Sequence, residues 1–302
     1  QFYLFIKGLL FSNKLKTSKE INDYLQQLSH SKTNFNIDTQ SSILISPTMD
    51  KIIVHHHDDY FQKFAFGESC VKIRNEEKIY GLFHDKIENF QISKLFDNHD
   101  KENTFCSFKL SNANVRSNNN NKTLNLVLPL IEFFKLTQGK TITIEAYINT
   151  LLSQLNTEVS NQLKAAIDSL LRLKNKYAQI NIPLGLVHRD FKLWNVKNYE
   201  KPLIFDFEET IMDGPPMEDL FNYLIDPIIM NKTQKDVSDF VFNKQNIRLY
   251  KFYLNELNLK VDFDLFLKIY LFNKILFLKY DNKDSVSNKY IALLNHINII
   301  FV

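Results

Sequence analysis

The 302-residue chain sets 37 Lys and Arg against 34 Asp and Glu, a net charge of +3, and is 44% hydrophobic. That charge is too mild, and has too few basic runs, for a nucleic-acid-binding protein. No apolar stretch reaches the roughly 18–20 residues a bilayer demands. The length allows one large core or two lobes. Cys70 and Cys106 have neither zinc nor redox spacing, which fits a reduced, cytoplasmic protein.

Residues 1–40 read as a helical extension, with pieces over Phe2–Phe11 and Ser18–Leu28 and a capping box from Thr17 and Glu20. From Ser42 the pattern shortens to strand-like runs at Ile43–Ile45, Lys51–His55 and Tyr60–Phe66. His55, His56 and His57 are adjacent and alternate faces, so they do not converge on one ion; an exposed strand end and hairpin is expected. Lys63 sits mid-strand, facing either solvent or a phosphate. A helix is predicted over Val71–Phe83, carrying Glu76 and Glu77.

Residues 86–123 are mostly polar, with an asparagine-rich loop over Ser111–Lys122. Strands are predicted on either side, at Phe105–Leu110 and Thr123–Leu130. Beyond them the periodicity turns helical. Leu163, Ile167, Leu170 and Leu171 mark one amphipathic helix. Met217–Ile225 marks another, expected to end before Pro227, and Asp262–Leu278 and Ser285–Ile299 complete the set.

The chemistry concentrates in Leu184–Glu209. Two apolar runs, Leu184–Val187 and Pro202–Phe205, each deliver polar groups at their C-terminal ends: His188-Arg189-Asp190 with Asn195 five positions on, then Asp206-Phe207-Glu208. The Asn195 amide and the Asp206 carboxylate are hard oxygen ligands suited to magnesium, Mg2+. Asp190 is left to orient or deprotonate an attacking hydroxyl, a division of labour suited to phosphoryl transfer. Lys192 is either a charge partner for the moving phosphoryl group or an exposed loop lysine. His188 is expected to buttress the loop, and Trp194 to pack under it.

These residues resemble the H-G-D-x-x-x-x-N and D-W/F-E signatures of the aminoglycoside/choline phosphotransferase family, within the protein-kinase-like superfamily. The variant with Phe191 and Trp194 looks most like bacterial small-molecule phosphotransferases. Arg189 replaces the usual glycine and gives the H-R-D of protein kinases. The resemblance implies an α+β, protein-kinase-like two-lobed fold. Its N-lobe would be an antiparallel sheet with one helix (41–131), and its C-lobe larger and mainly helical (132–302). It also implies ATP and Mg2+ as cofactors, with Lys63 on the phosphates, paired to Glu76 (Glu77 being the competitor). The turn over 46–50 would cover the phosphates, although it contains no glycine. Leu126–Glu132 would be the last strand and hinge, with the Pro129 carbonyl and the Ile131 N–H holding adenine. Asp219 would brace the catalytic loop.

Only 219 − 206 = 13 residues separate the metal aspartate from the bracing one. That leaves no room for the activation segment of a protein Ser/Thr kinase, so the expected acceptor is a hydroxyl on a small molecule. A non-catalytic kinase-like nucleotide-binding module is the reading from another class. Glu208, Glu209, Asp213, Glu218 and Asp226 either select an amine-bearing acceptor, such as a choline, amino sugar or aminoglycoside, or form a solvated face.

Overall fold

The computed structural model describes residues 23, 41–45, 50–56, 60–83, 86–101, 105–111, 124–155, 161–197, 201–280 and 283–300. The expected N-terminal extension (apart from Asp23) and the turn at 46–49 fall outside them. The chain divides into two compact units. One takes the described residues of Gln1–Asn118 plus Leu203–Glu209, and the other those of Asn119–Pro202 plus Thr210–Val302.

Among residues 41–111, the described part of the first unit is an antiparallel sheet with one helix. Its strands are β1 (Ser42–Ile45), β2 (Lys51–His56), β3 (Tyr60–Phe66), β4 (Leu95–Lys101) and β5 (Phe105–Ser111), in the order β1-β2-β3-β5-β4. Period-two alternation in β2 buries Ile52, Val54 and His56 on one face. His56 is therefore buried rather than exposed, and its ring stacks on Tyr60 at 4.2 Å. Helix α1 (Ser69–Phe83) buries Ile73, Ile79, Tyr80 and Phe83. The segment Leu203–Glu209 returns to this unit, where the Ile204 N–H donates to the Gln91 carbonyl at 2.9 Å. Phe207 meets Tyr80 edge-on at 5.2 Å.

The second unit is mainly helical. Its first helix, α2 (Leu124–Thr137), overturns the strand and hinge expected at Leu126–Glu132. A continuous apolar run has no period to separate strand from helix, and here packing chose the helix. Pro129 lies inside α2, and Ile131 is buried within it. Helical backbone groups are spoken for by i→i−4 pairing, so the strand-edge carbonyl and N–H expected to hold adenine are absent at these two residues. The chain passes from one unit to the other before α2, at 118/119 rather than at 131/132.

Strands β6 (Lys140–Thr143), β7 (Asn181–Val187) and β8 (Ile211–Gly214) form a small antiparallel sheet with β7 in the centre. Helices α3 (Ile144–Ser153), α4 (Asn161–Tyr177), α5 (Glu218–Ile229), α6 (Gln234–Val241), α7 (Lys244–Glu256), α8 (Phe263–Tyr280) and α9 (Asp284–Ile300) supply the rest. Thr143 caps α3 by accepting from the Ala146 N–H at 3.2 Å, and Thr233 with Asp236 forms a capping box on α6. Pro227 lies inside α5 rather than beyond its end.

Strand β7 carries His188-Arg189-Asp190 just beyond its end, and β8 lies close against it. A Cβ on Gly214 would stand 2.4 Å from Val187 Cγ2. Gly214→Ala is expected to destabilise the protein by about 1–3 kcal/mol through overpacking, read from the midpoint of urea unfolding. An unchanged midpoint would mean that β8 shifts at no cost.

Candidate functional site

In the first unit, β3 presents Lys63 and α1 presents Glu76 from its second turn. The Lys63 ammonium donates to Glu76 Oε1 at 2.9 Å and Oε2 at 2.7 Å. Asp206 Oδ1 lies 3.1 Å from the same nitrogen and Glu208 Oε1 lies 3.4 Å from it. Lys51 also reaches Glu208, at 2.5 Å. Lys63 and Glu76 are both buried.

One buried ammonium thus stands among three carboxylates. Burial alone would lower the Lys63 ammonium, but Asp206, Glu76 and Glu208 outweigh it and hold its pKa well above the usual lysine range. The same surplus acts on Glu76. Burial, with Asp206 and Glu208 nearby, raises its carboxyl to about 7 although Lys63 pulls the other way. Ligand oxygens of Glu76, Asp206 and Glu208 lie within 4.8 Å of one another. A group of hard oxygens with excess negative charge fits a divalent cation such as magnesium.

Asp206 has φ +69°, in the left-handed region. That conformation turns the chain sharply after the short strand Leu203–Ile204 and starts the 3₁₀ turn Phe207–Glu209. An aspartate tolerates this better than most residues.

In the second unit, the loop after β7 is built around Asp219 in the first turn of α5. Its carboxylate accepts the His188 N–H at 2.7 Å and the Arg189 N–H at 2.9 Å. Asn222, one turn further, donates to the Arg189 carbonyl at 3.1 Å. Arg189 itself has φ +64°, a conformation that explains why glycine is the usual residue of this motif. Its side chain compensates by lying 3.7 Å from Glu218 and 4.6 Å over the Phe277 ring.

Asp190 follows, with its side chain 28% exposed. It pairs with Lys192 and accepts from Asn195 Nδ2 at 2.8 Å. The same Nδ2 donates to the Asp190 carbonyl at 2.9 Å, which turns the Asn195 amide oxygen toward other partners. His188 is fully buried beside Phe191. Trp194 is 45% exposed rather than packed under the loop, and Lys192 sits 5.2 Å over its ring.

Several pairings escaped sequence reading. Glu208 joins Lys63; Asn222 holds the loop; Asp226 accepts from Lys274 at 2.8 Å, Tyr270 at 2.7 Å and Tyr290 at 2.5 Å. Lys192 lies 3.7 Å from Asp226 as well. A signal existed for the helix residues: Asp219, Asn222 and Asp226 follow i, i+3, i+7, a polar stripe on one face of α5. Lys274 and Tyr270 share the i, i+4 spacing on α8.

The fold resembles solved phosphotransferases. The complex of aminoglycoside phosphotransferase APH(4)-Ia with ADP and hygromycin B superposes with a TM-score of 0.53 at 13% identity, covering 91% of this chain and 98% of that one. The GDP and kanamycin complex of APH(2")-IIIa gives 0.55 at 13% identity, covering 91% and 99%. The chain therefore has the kinase-like fold of nucleotide-binding aminoglycoside phosphotransferases. No protein-family model and no curated protein sequence matches it. Among the described residues no helix is long and apolar enough to cross a membrane.

Burial raises the Asp219 carboxyl to about 7, the two amides offsetting only part of the cost. The folded chain then binds a proton that an unfolded aspartate releases near pH 4. Stability is expected to fall as pH rises from about 4 to about 7. Asp219→Asn should flatten that slope and cost about 1–3 kcal/mol at pH 5, because one amide loses its acceptor. Urea midpoints at pH 4, 5, 6 and 7 for both proteins test this, and parallel slopes would rule Asp219 out as their source.

Proposed function

We propose that the protein is an ATP-dependent phosphotransferase acting on the hydroxyl of a small molecule. The observation that carries this reading is the Lys63–Glu76 pair at 2.7 Å with Asp206 at 3.1 Å from the same ammonium. These three residues are 13 and 143 positions apart from Lys63 in sequence, and the phosphotransferase resemblance selected all three. The fold of the ADP- and GDP-bound neighbours supports the same conclusion.

In this reading each unit supplies its own share. Lys63, held in place by Glu76, meets the nucleotide phosphates. Asp206 would be a magnesium ligand, and Asn195 would be the second ligand that the motif implies, through its amide oxygen. Bound magnesium neutralises charge on the phosphates and fixes their orientation. Asp190 accepts the proton of the acceptor hydroxyl, whose oxygen bonds the γ-phosphorus as the bond to the β–γ bridging oxygen breaks, releasing ADP. Lys192, paired with Asp190, keeps that carboxylate oriented and supplies positive charge beside it. Catalysis is then mostly positioning and charge neutralisation. The two cysteines are buried thiols, which suits a reducing cytoplasm.

The protein should hydrolyse ATP slowly when magnesium is present and no acceptor is added. Asp190→Ala is expected to lower that rate about 10²–10⁴-fold, and Asp206→Ala to abolish its magnesium dependence. Rates equal to the parent in both variants, measured as ADP release, would remove this site from the chemistry.

A further inference from the structure

The five acids that follow the metal motif were one possible basis for recognising an amine, and the solved neighbours hold hygromycin B and kanamycin. Every one of the five already has a cation of this chain beside it. In the first unit Glu208 pairs with Lys51 at 2.5 Å and Glu209 with Lys72 at 2.5 Å. In the second, Asp213 pairs with Lys140 at 2.7 Å and Glu218 with Arg189 at 3.7 Å. Asp226 is held by Lys274 and by two tyrosine hydroxyls.

The buried pairs decide the matter. Glu218 and Asp226 have side chains only 6% and 7% exposed. A substrate ammonium would have to take Glu218 from Arg189, or take Asp226 from the buried Lys274 and leave that ammonium with only the neutral Asn222 amide oxygen, which is unfavourable. Asp213–Lys140 is exposed, and such a pair contributes little. An incoming ammonium there meets a carboxylate flanked by a competitor. Asp190, too, is matched by Lys192. Meanwhile the loop turns Leu193 and Trp194 outward, 53% and 45% exposed. Exposed apolar side chains on the loop that carries Asp190 suit the C–H face of a ring that carries hydroxyls.

We infer that the acceptor is a saccharide hydroxyl on a molecule without ammonium groups, neutral or acidic, and not a polycationic aminoglycoside. This rests on the phosphotransferase reading above. The reaction is unchanged: the saccharide hydroxyl gives its proton to Asp190, its oxygen bonds the γ-phosphorus, and ADP leaves.

The test is transfer from labelled ATP with magnesium to glucose, N-acetylglucosamine, glucuronate, maltose and lactose, beside kanamycin and hygromycin B. At least one of the five saccharides should show kcat/KM ten or more times that of either aminoglycoside. Higher efficiency with an aminoglycoside than with every saccharide would overturn the inference. So would transfer to none of the five while Asp190-dependent ADP release persists. Absence of Asp190-dependent ADP release would instead overturn the underlying phosphotransferase reading.

Discussion

A single ammonium carries the first unit's charge balance. Lys63 is the cation common to Glu76, Asp206 and Glu208, and it does this from inside the sheet. Removing one partner of a buried ion pair costs about 3–5 kcal/mol, because the remaining charge has no solvent to fall back on. Here the fully buried Glu76 would lose its cation, while Glu208 keeps Lys51 and Asp206 keeps some solvent. The arrangement also leaves net negative charge after Lys63 is counted, so a bound cation improves the electrostatics of the fold rather than burdening it.

The second unit solves a different problem: it must hold an irregular loop still. Strand β7 ends at Val187, and from there the backbone has no sheet partner to fix it. Helix α5 replaces that partner with a row of side chains. Asp219 takes two amides, Asn222 takes a carbonyl, and Asp226 anchors the Lys192 that pairs with Asp190. Three residues on one helical face thereby fix the backbone on which Asp190 sits, and the helix itself is packed by Leu220, Phe221 and Ile225.

Much of this was legible because polar groups interrupting apolar runs are conspicuous. Asp190, Asn195 and Asp206 stood out by that contrast, and Lys63 by its place in mid-strand. The short apolar runs of β1, β2 and β3 and the 3.6-residue period near Leu163 and Leu170 marked their elements correctly. The run around Pro129 failed for a physical reason: an uninterrupted apolar stretch fits a buried strand and a buried helix equally well. The strand at Leu95–Lys101 was missed because its sequence, LFDNHDK, is polar and gains its identity from pairing with β5. Ion pairs were the least accessible feature. Asp226 and Lys274 are 48 residues apart, and no local pattern announces that one satisfies the other. Five acids spread over residues 208–226 read equally as an offer to an amine or as a solvated face, and each has a cation of this chain beside it.

Arg189 shows where the information for a local shape can reside. Its backbone has a left-handed twist that glycine adopts freely and arginine does not. The residue keeps that twist because Asp219 grips its amide while Glu218 and Phe277 hold its guanidinium. The conformation of this one peptide is therefore written in residues 29, 30 and 88 positions downstream. A fragment carrying the loop without helices α5 and α8 would retain the motif's letters and lose its geometry.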